Sequence, residues 1–264
     1  PIVYELLENW LEGRCAPGAL TVIRAAAGLD DTAAEALQAR LAEPPRATVL
    51  WLDAPGLLAP GREPDSARPS QLTGIRLRLA RQPRHAPFAR LTAAGARRFD
   101  LPPDRRFGQY DRPLTGGFPA SFRRDPATGI PLPFEREWRI RIDDPAAEPL
   151  ARFEDDGSPA LALKTSGGVR HLVYALPILN AALLRAAAVF AGCPVHADGD
   201  AMLAASRGLL LVHACRPGPH AIAWPHPAAF TDLRRNRPVP VAGGRVTLTL
   251  AAGETALLQA TPAS

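Results

Sequence analysis

Lysine is nearly missing from this chain: Lys164 is the only one, and arginine supplies almost all of the positive charge. A formal net charge of +5 and a pI near 9.7 therefore arrive without the dense basic face of a nucleic-acid binder. The pairs Arg97-Arg98, Arg105-Arg106, Arg123-Arg124 and Arg234-Arg235 fall in separate segments, interspersed with Asp and Glu. A phosphate-binding surface clusters its charge on one element and adds aromatics for stacking. This pattern is a solvated surface, and no nucleic-acid partner is expected.

Cysteine is scarce as well. Cys15, Cys193 and Cys215 are odd in number and far apart, which excludes a disulfide framework and a C-x-x-C pair. No apolar run reaches the ~18 residues a membrane span needs, so no membrane partner is expected. Methionine occurs once, at Met202, and the chain opens PIVYELLENWLEGR. Ile2, Val3 and Tyr4 are β-formers followed at once by an acidic, Leu-rich stretch, which reads as a strand and helical turn inside a domain. The expectation is a chain that begins within a longer polypeptide. Nothing in the residues assigns a compartment.

What is present is globular. Apolar content of 47%, charge of 22% and 264 residues suit one large domain or two ordinary ones with a sizeable core. ALTVIRAA, from Ala19, supplies a short β-run, and GLDDTAAEALQARLAE supplies a helix of about three turns with Thr32 and Glu35 in capping-box spacing. Pro44-Pro45 stops it, and Thr48 to Leu52 forms a nearly continuous apolar strand. Strand, helix and buried strand in that order predict a βαβ unit and a parallel sheet covered on both faces. SQLTGI predicts a short helix ended by Gly74.

From about 82 to 149 the chain is rich in Pro, Arg and Gly with recurring aromatics, and is expected to form an ordered, loop-heavy insertion. Ala160 to Lys164 and Val169 to Tyr174 flank Ser166-Gly167-Gly168, a hairpin signal. Asn180 precedes an Ala/Leu helix that closes at Gly192. Beyond Cys193, short alternating runs recur at intervals of ~8 to 12 residues, the spacing of a small antiparallel sandwich. Val246, Leu248 and Leu250 alternate with Thr247 and Thr249. The expected domains are 1–198 and 199–264.

Chemistry is harder to find. Ala204 to Gly208 (AASRG) approximates a nucleophile elbow, but a strand-like run follows where the elbow needs a helix. Cys193, His196, Asp198 and Asp200 lack the second Cys/His pair of a structural zinc site, and are read as a helix-to-strand connection. His213 is read as a core or edge histidine; His85, His171, His220 and His226 belong to no pattern. Glu135, Glu137, Asp143, Asp144, Glu154, Asp155 and Asp156 are numerous, mostly solvated loop acids. Neither P-loop nor Rossmann spacing occurs. No metal or cofactor is expected.

Three stretches, VYELLENWLEGRCAPGALTVI, ATVLWLDAPGLL and SQLTGI, together resemble the glutamine-amidotransferase-like domain that follows the catalytic barrel in β-galactosidase-type glycoside hydrolases. There it is called the trimerisation domain. YDRPLTGGFP, IDDPAAEPLARFEDDGSPALALK and GGVRHLVYALPILNAALLRAAAVFAG resemble its later strands and last helix. GLLLVHACRPGPHAIAWP and LTLAAGETALLQA resemble the small β-domain that closes such enzymes. The resemblance implies an α/β fold: a flavodoxin-like parallel sheet, lacking its first βα unit, followed by a small antiparallel β-sandwich. It also implies loss of glutamine hydrolysis, because the turn matching the cysteine nucleophile is Leu52-Asp53-Ala54-Pro55-Gly56.

The function so implied is a non-catalytic accessory and oligomerisation region of a glycoside hydrolase. Its partners are the catalytic barrel of the same polypeptide and a homo-oligomer, with no catalytic residue of its own. Phe107, Tyr110, Phe134 and Trp138 are candidate sugar-contact residues, against the competing reading that they pack the insertion. The alternative is a carbohydrate-binding or interaction module, for which the C-terminal part offers Trp224 and Phe230. A free-standing hydrolase is a third reading, disfavoured by the failed elbow.

Overall fold

The computed structural model describes residues 7–14, 18–24, 28–43, 48–52, 55–57, 65–81, 88–103, 105–107, 138–176, 181–193, 195–197, 201–206, 208–224 and 228–262. The chain divides into two compact units, Tyr4–Cys193 and one holding Pro194–Ser264. Of the opening stretch, Leu7–Leu11 is a short helix, α1, and the strand expected at Ile2 to Tyr4 lies outside the described residues.

In the first unit, β1 (Leu20–Ile23), α2 (Asp31–Ala42) and β2 (Thr48–Leu52) form a βαβ unit, with β1 parallel to β2. The residue that starts α2 is Asp30, not Thr32: its carboxylate accepts from the Ala33 amide at 2.7 Å. An extended N-cap with a carboxylate meets an orphan N–H and the positive end of the helix dipole at once. Leu37 and Leu41 then face the core. All five residues of β2 are buried, which is why that segment reads as continuously apolar. Helix α3 (Ala67–Thr73) ends at Gly74, whose φ of +64 closes it as a left-handed cap.

The strands β3 (Leu77–Arg81), β4 (Ala89–Leu91), β5 (Arg106–Phe107), β6 (Trp138–Ile142), β7 (Glu148–Phe153), β8 (Pro159–Ser166) and β9 (Val169–Tyr174) follow, with α4 (Ala93–Phe99) after β4 and α5 (Ala181–Phe190) after β9. The main sheet runs β1-β2-β9-β8-β7-β4-β5. The neighbouring pairs β1-β2 and β2-β9 are parallel; β9-β8, β8-β7, β7-β4 and β4-β5 are antiparallel. Strands β3 and β6 make a separate antiparallel pair.

The flavodoxin-like expectation is therefore corrected. The molecule is mostly β, with a curled, half-barrel mixed sheet in place of a flavodoxin-like α/β domain and appended sandwich. The error has a physical source. One βαβ unit does not entail a wholly parallel sheet, and β4 and β5 lie within the Pro- and Arg-rich stretch. Strands of three and two residues, such as β4 and β5, are too short to display a period-two pattern. The hairpin does form, with Gly167 and Gly168 both at positive φ (57 and 83) between β8 and β9.

Helix α4 is fixed to β7 by close backbone approach. The Thr92 amide donates to the Leu150 carbonyl at 2.9 Å, and Thr92 Oγ1 accepts from the Gly95 amide at 3.0 Å. A Cβ built on Gly95 would sit 2.0 Å from the Leu150 carbonyl oxygen, so only glycine fits there.

The second unit contains β10 (Ala201–Ser206), β11 (Leu209–Ala214), β12 (Gly218–Ala223), β13 (Ala228–Asp232), β14 (Arg237–Val239), β15 (Val241–Ala242), β16 (Arg245–Leu250) and β17 (Thr255–Pro262). They form antiparallel sheets of order β10-β11-β17-β13-β14 and β12-β16-β15. Leu210, Val212, Ile222, Phe230, Val246 and Leu258 share one core. Along β16, Val246, Leu248 and Leu250 are buried while Thr247 and Thr249 are exposed, as the alternation predicts.

Candidate functional site

A line of polar side chains crosses the otherwise apolar middle of the main sheet. Trp51 on β2 and His171 on β9 stack at 11° with ring centroids 6.1 Å apart. The indole Nε1–H donates to His171 Nδ1 at 3.1 Å, so the imidazole carries its own proton on Nε2. Lys164 on β8 lies directly opposite His171 in the antiparallel register. Its Nζ donates to Asp144 Oδ2 at 2.7 Å, in the turn between β6 and β7. Asp144 also accepts from the amides of Arg76 (3.0 Å) and Ala146 (2.9 Å). Four segments distant in sequence are joined in this way.

The electrostatics of the line hold each group in one state. Burial, helped by the Lys164 charge, pushes the His171 pKa down to about 4. The Lys164 hydrogen bond, opposed by burial and aided by the two amides, lowers Asp144 to about 2. Glu154 is lowered too, first by the hydrogen bond from Arg106 and then by Arg90, with burial acting against both. Arg106 in turn lies over the Phe88 ring at 3.7 Å. A carboxyl group that serves as general acid near neutral pH needs its pKa raised, and those of Asp144 and Glu154 are lowered.

A titration checks the His171 assignment. Unfolded, the imidazole binds its proton near 6.5; folded, only near 4. Between those values the unfolded state holds more protons, so stability must fall as pH drops from 6.5 to 4. The expected loss is about 2 to 3 kcal/mol at the lower end. Denaturant unfolding at pH 7 and pH 4 should show this loss in the native chain and a smaller one in His171→Gln.

Two more of the acids singled out in the sequence are held in ion pairs. Asp143 pairs with Arg78 at 2.6 Å and Asp156 with Arg141 at 2.5 Å, while Glu135 and Glu137 lie outside the described residues. Among the described residues, no group of three or more His, Cys, Asp or Glu could hold a metal ion. His196 uses Nδ1 on the Ala223 carbonyl at 3.0 Å, and Asp198 and Asp200 are outside the description. Ser206 ends β10, which pairs with β11 as a hairpin, so no helix follows it as an elbow requires. His213 sits on β11 with Nδ1 2.8 Å from Thr255 Oγ1, and His220 is buried with Nε2 3.1 Å from the Arg216 carbonyl.

Of the four aromatic candidates, Phe107 is fully buried in the core of the first unit and has no face open to a sugar. Trp138 begins β6, paired with Arg81, and its side chain lies outside the description. Tyr110 and Phe134 are outside the described residues. Phe230 is buried, and half-buried Trp224 packs edge-on against it at 5.2 Å. The sequence reading missed the Trp51–His171–Lys164–Asp144 line. Its signals were present: the sole lysine ends an apolar β-run, and His171 begins another.

No family model matches the chain, and no curated protein matches it in sequence. Solved structures do. The β-galactosidase of Bacillus circulans sp. alkalophilus superposes with a TM-score of 0.56 at 15% identity, over 92% of this chain and 33% of that one. A catalytic mutant of a GH42 β-galactosidase from G. stearothermophilus gives 0.55 at 10% identity, over 92% and 32%. The cold-adapted β-galactosidase of a Rahnella species gives 0.57 at 12% identity, again over 92% and 32%. The likeness is one of fold. The chain spans about a third of the length of these structures.

Proposed function

We propose that this chain is a non-catalytic accessory and oligomerisation region of a glycoside hydrolase of β-galactosidase type. The observation that carries the reading is the coverage. Nearly all of this chain superposes on about a third of each of three β-galactosidases. The remaining two thirds of such a protein would hold the catalytic barrel. The local chemistry supports the same reading, because the carboxylates with shifted pKa values are locked by Lys or Arg and pushed down. A glycosidase needs two carboxyl groups across a cleft, one of them kept protonated.

The reading frame upstream of the Pro1 codon tests this. Continuation through β/α repeats carrying two strand-end carboxylates supports the proposal. A start codon immediately before Pro1 overturns it.

A further inference from the structure

The contact between Trp51 and His171 can exist in only one protonation state. The indole Nε1–H donates to His171 Nδ1 across 3.1 Å, with the two ring planes 11° apart. Tryptophan is a donor only, and a neutral imidazole accepts at one nitrogen alone. Nε2 already carries a proton, so a second one taken from solvent goes onto Nδ1. Two N–H donors then point at each other, and the hydrogen bond is lost.

We propose that Trp51 and His171 form an acid-operated catch: proton uptake at Nδ1 releases the indole while the surrounding sheet stays folded. The groups around the imidazole give its cation no place in the closed arrangement. Lys164 stands directly opposite on β8 and acts on the ring, so an imidazolium there makes a like-charge cross-strand pair. Asp144 is bound to Lys164, and Asp143, beside it in the turn, is paired with Arg76 and Arg78. On β2 the residue opposite His171 is Val49, which is uncharged. Arg170, the preceding residue of β9, is engaged with α5: it lies 4.9 Å over the Phe190 ring and donates to the Phe190 carbonyl at 3.2 Å. Each of these carboxylates already has its cation.

The rest of the sheet does not depend on that hydrogen bond. Strand β9 is laddered to β2 on one side and to β8 on the other, with Leu172, Val173 and Tyr174 buried. Asp144 stays ionised down to about pH 2, so its tie to Lys164 outlasts a release centred near pH 4. Loss of stability on acidification would also follow from simple unfolding; release inside a folded chain is a separate event. The catch goes beyond the proposed function and does not rest on it.

Proton NMR of the 264-residue chain from pH 7 to pH 3 provides the test, with far-UV circular dichroism on the same samples to report folding. The Trp51 indole N–H is assigned by its absence in Trp51→Phe. It should move upfield with a midpoint near pH 4 while the dichroism is unchanged, and should not move in His171→Gln. A resonance that holds its place until the dichroism is lost, or that moves equally in His171→Gln, overturns the proposal. Should either variant fail to fold, the native chain still decides. One of its four tryptophan N–H resonances has to move near pH 4 in the folded state, and the proposal is overturned when none does.

Discussion

Replacing Trp51 with alanine should lower the stability of the first unit by about 3 to 5 kcal/mol, the range for emptying a core aromatic site. Trp51 is fully buried on β2, between β1 and β9. Its loss opens a cavity and strips His171 Nδ1 of its donor at once. Trp51→Phe separates the two effects: most of the volume stays and only the N–H goes, so about 1 to 2 kcal/mol should be lost. For a unit of this size the alanine variant should melt roughly 10 °C lower. Equal losses for the two variants would show that the cavity contributes nothing beyond the hydrogen bond.

A second large effect is expected from one methyl group. Gly95→Ala places a Cβ 2.0 Å from the Leu150 carbonyl oxygen and 3.0 Å from Leu91 Cδ2. The obstacle is backbone, which cannot swing aside as a side chain would. Helix α4 must therefore lift from β7, and the Thr92 contacts to Pro149 and Leu150 go with it. The expected cost is about 3 kcal/mol or more, at or beyond the upper end of ordinary overpacking. Gly28→Ala is the control, since nothing lies within 4 Å of its Cβ position, and it should stay within about 0.5 kcal/mol of the native chain. Denaturant midpoints of the two variants, at a common slope, decide the matter.

These two positions also show what the sequence makes legible. The apolar run around Trp51 announces a buried strand, and that strand forms with every residue covered. The helix ending at Gly74, the Gly167-Gly168 hairpin and the alternation along β16 are equally local signals, and the chain obeys them. Gly95 carries no such signal. Its requirement comes from the Leu150 carbonyl, 55 residues away on β7, which no pattern around Gly95 announces. The sheet order failed for the same reason: which strands pair depends on contacts between distant segments, and one parallel βαβ unit is compatible with a mixed sheet.

The polar line was hidden differently. Lys164, His171 and Asp144 each have ordinary neighbours in sequence, and only the β8–β9 register and the turn after β6 bring them together. Once assembled, they join β2, the β8–β9 hairpin and the turn after β6. His171 is kept neutral by burial, and Asp144 is kept ionised by its lysine.

The central claim, that this chain carries no glycosidase chemistry of its own, is tested most directly by assaying the purified 264-residue chain on chromogenic β-galactosides and a panel of other glycosides. The account predicts hydrolysis no faster than in buffer at any pH from 4 to 9. Turnover that co-purifies with the chain and is lost on changing one of its carboxylates to the amide would contradict it.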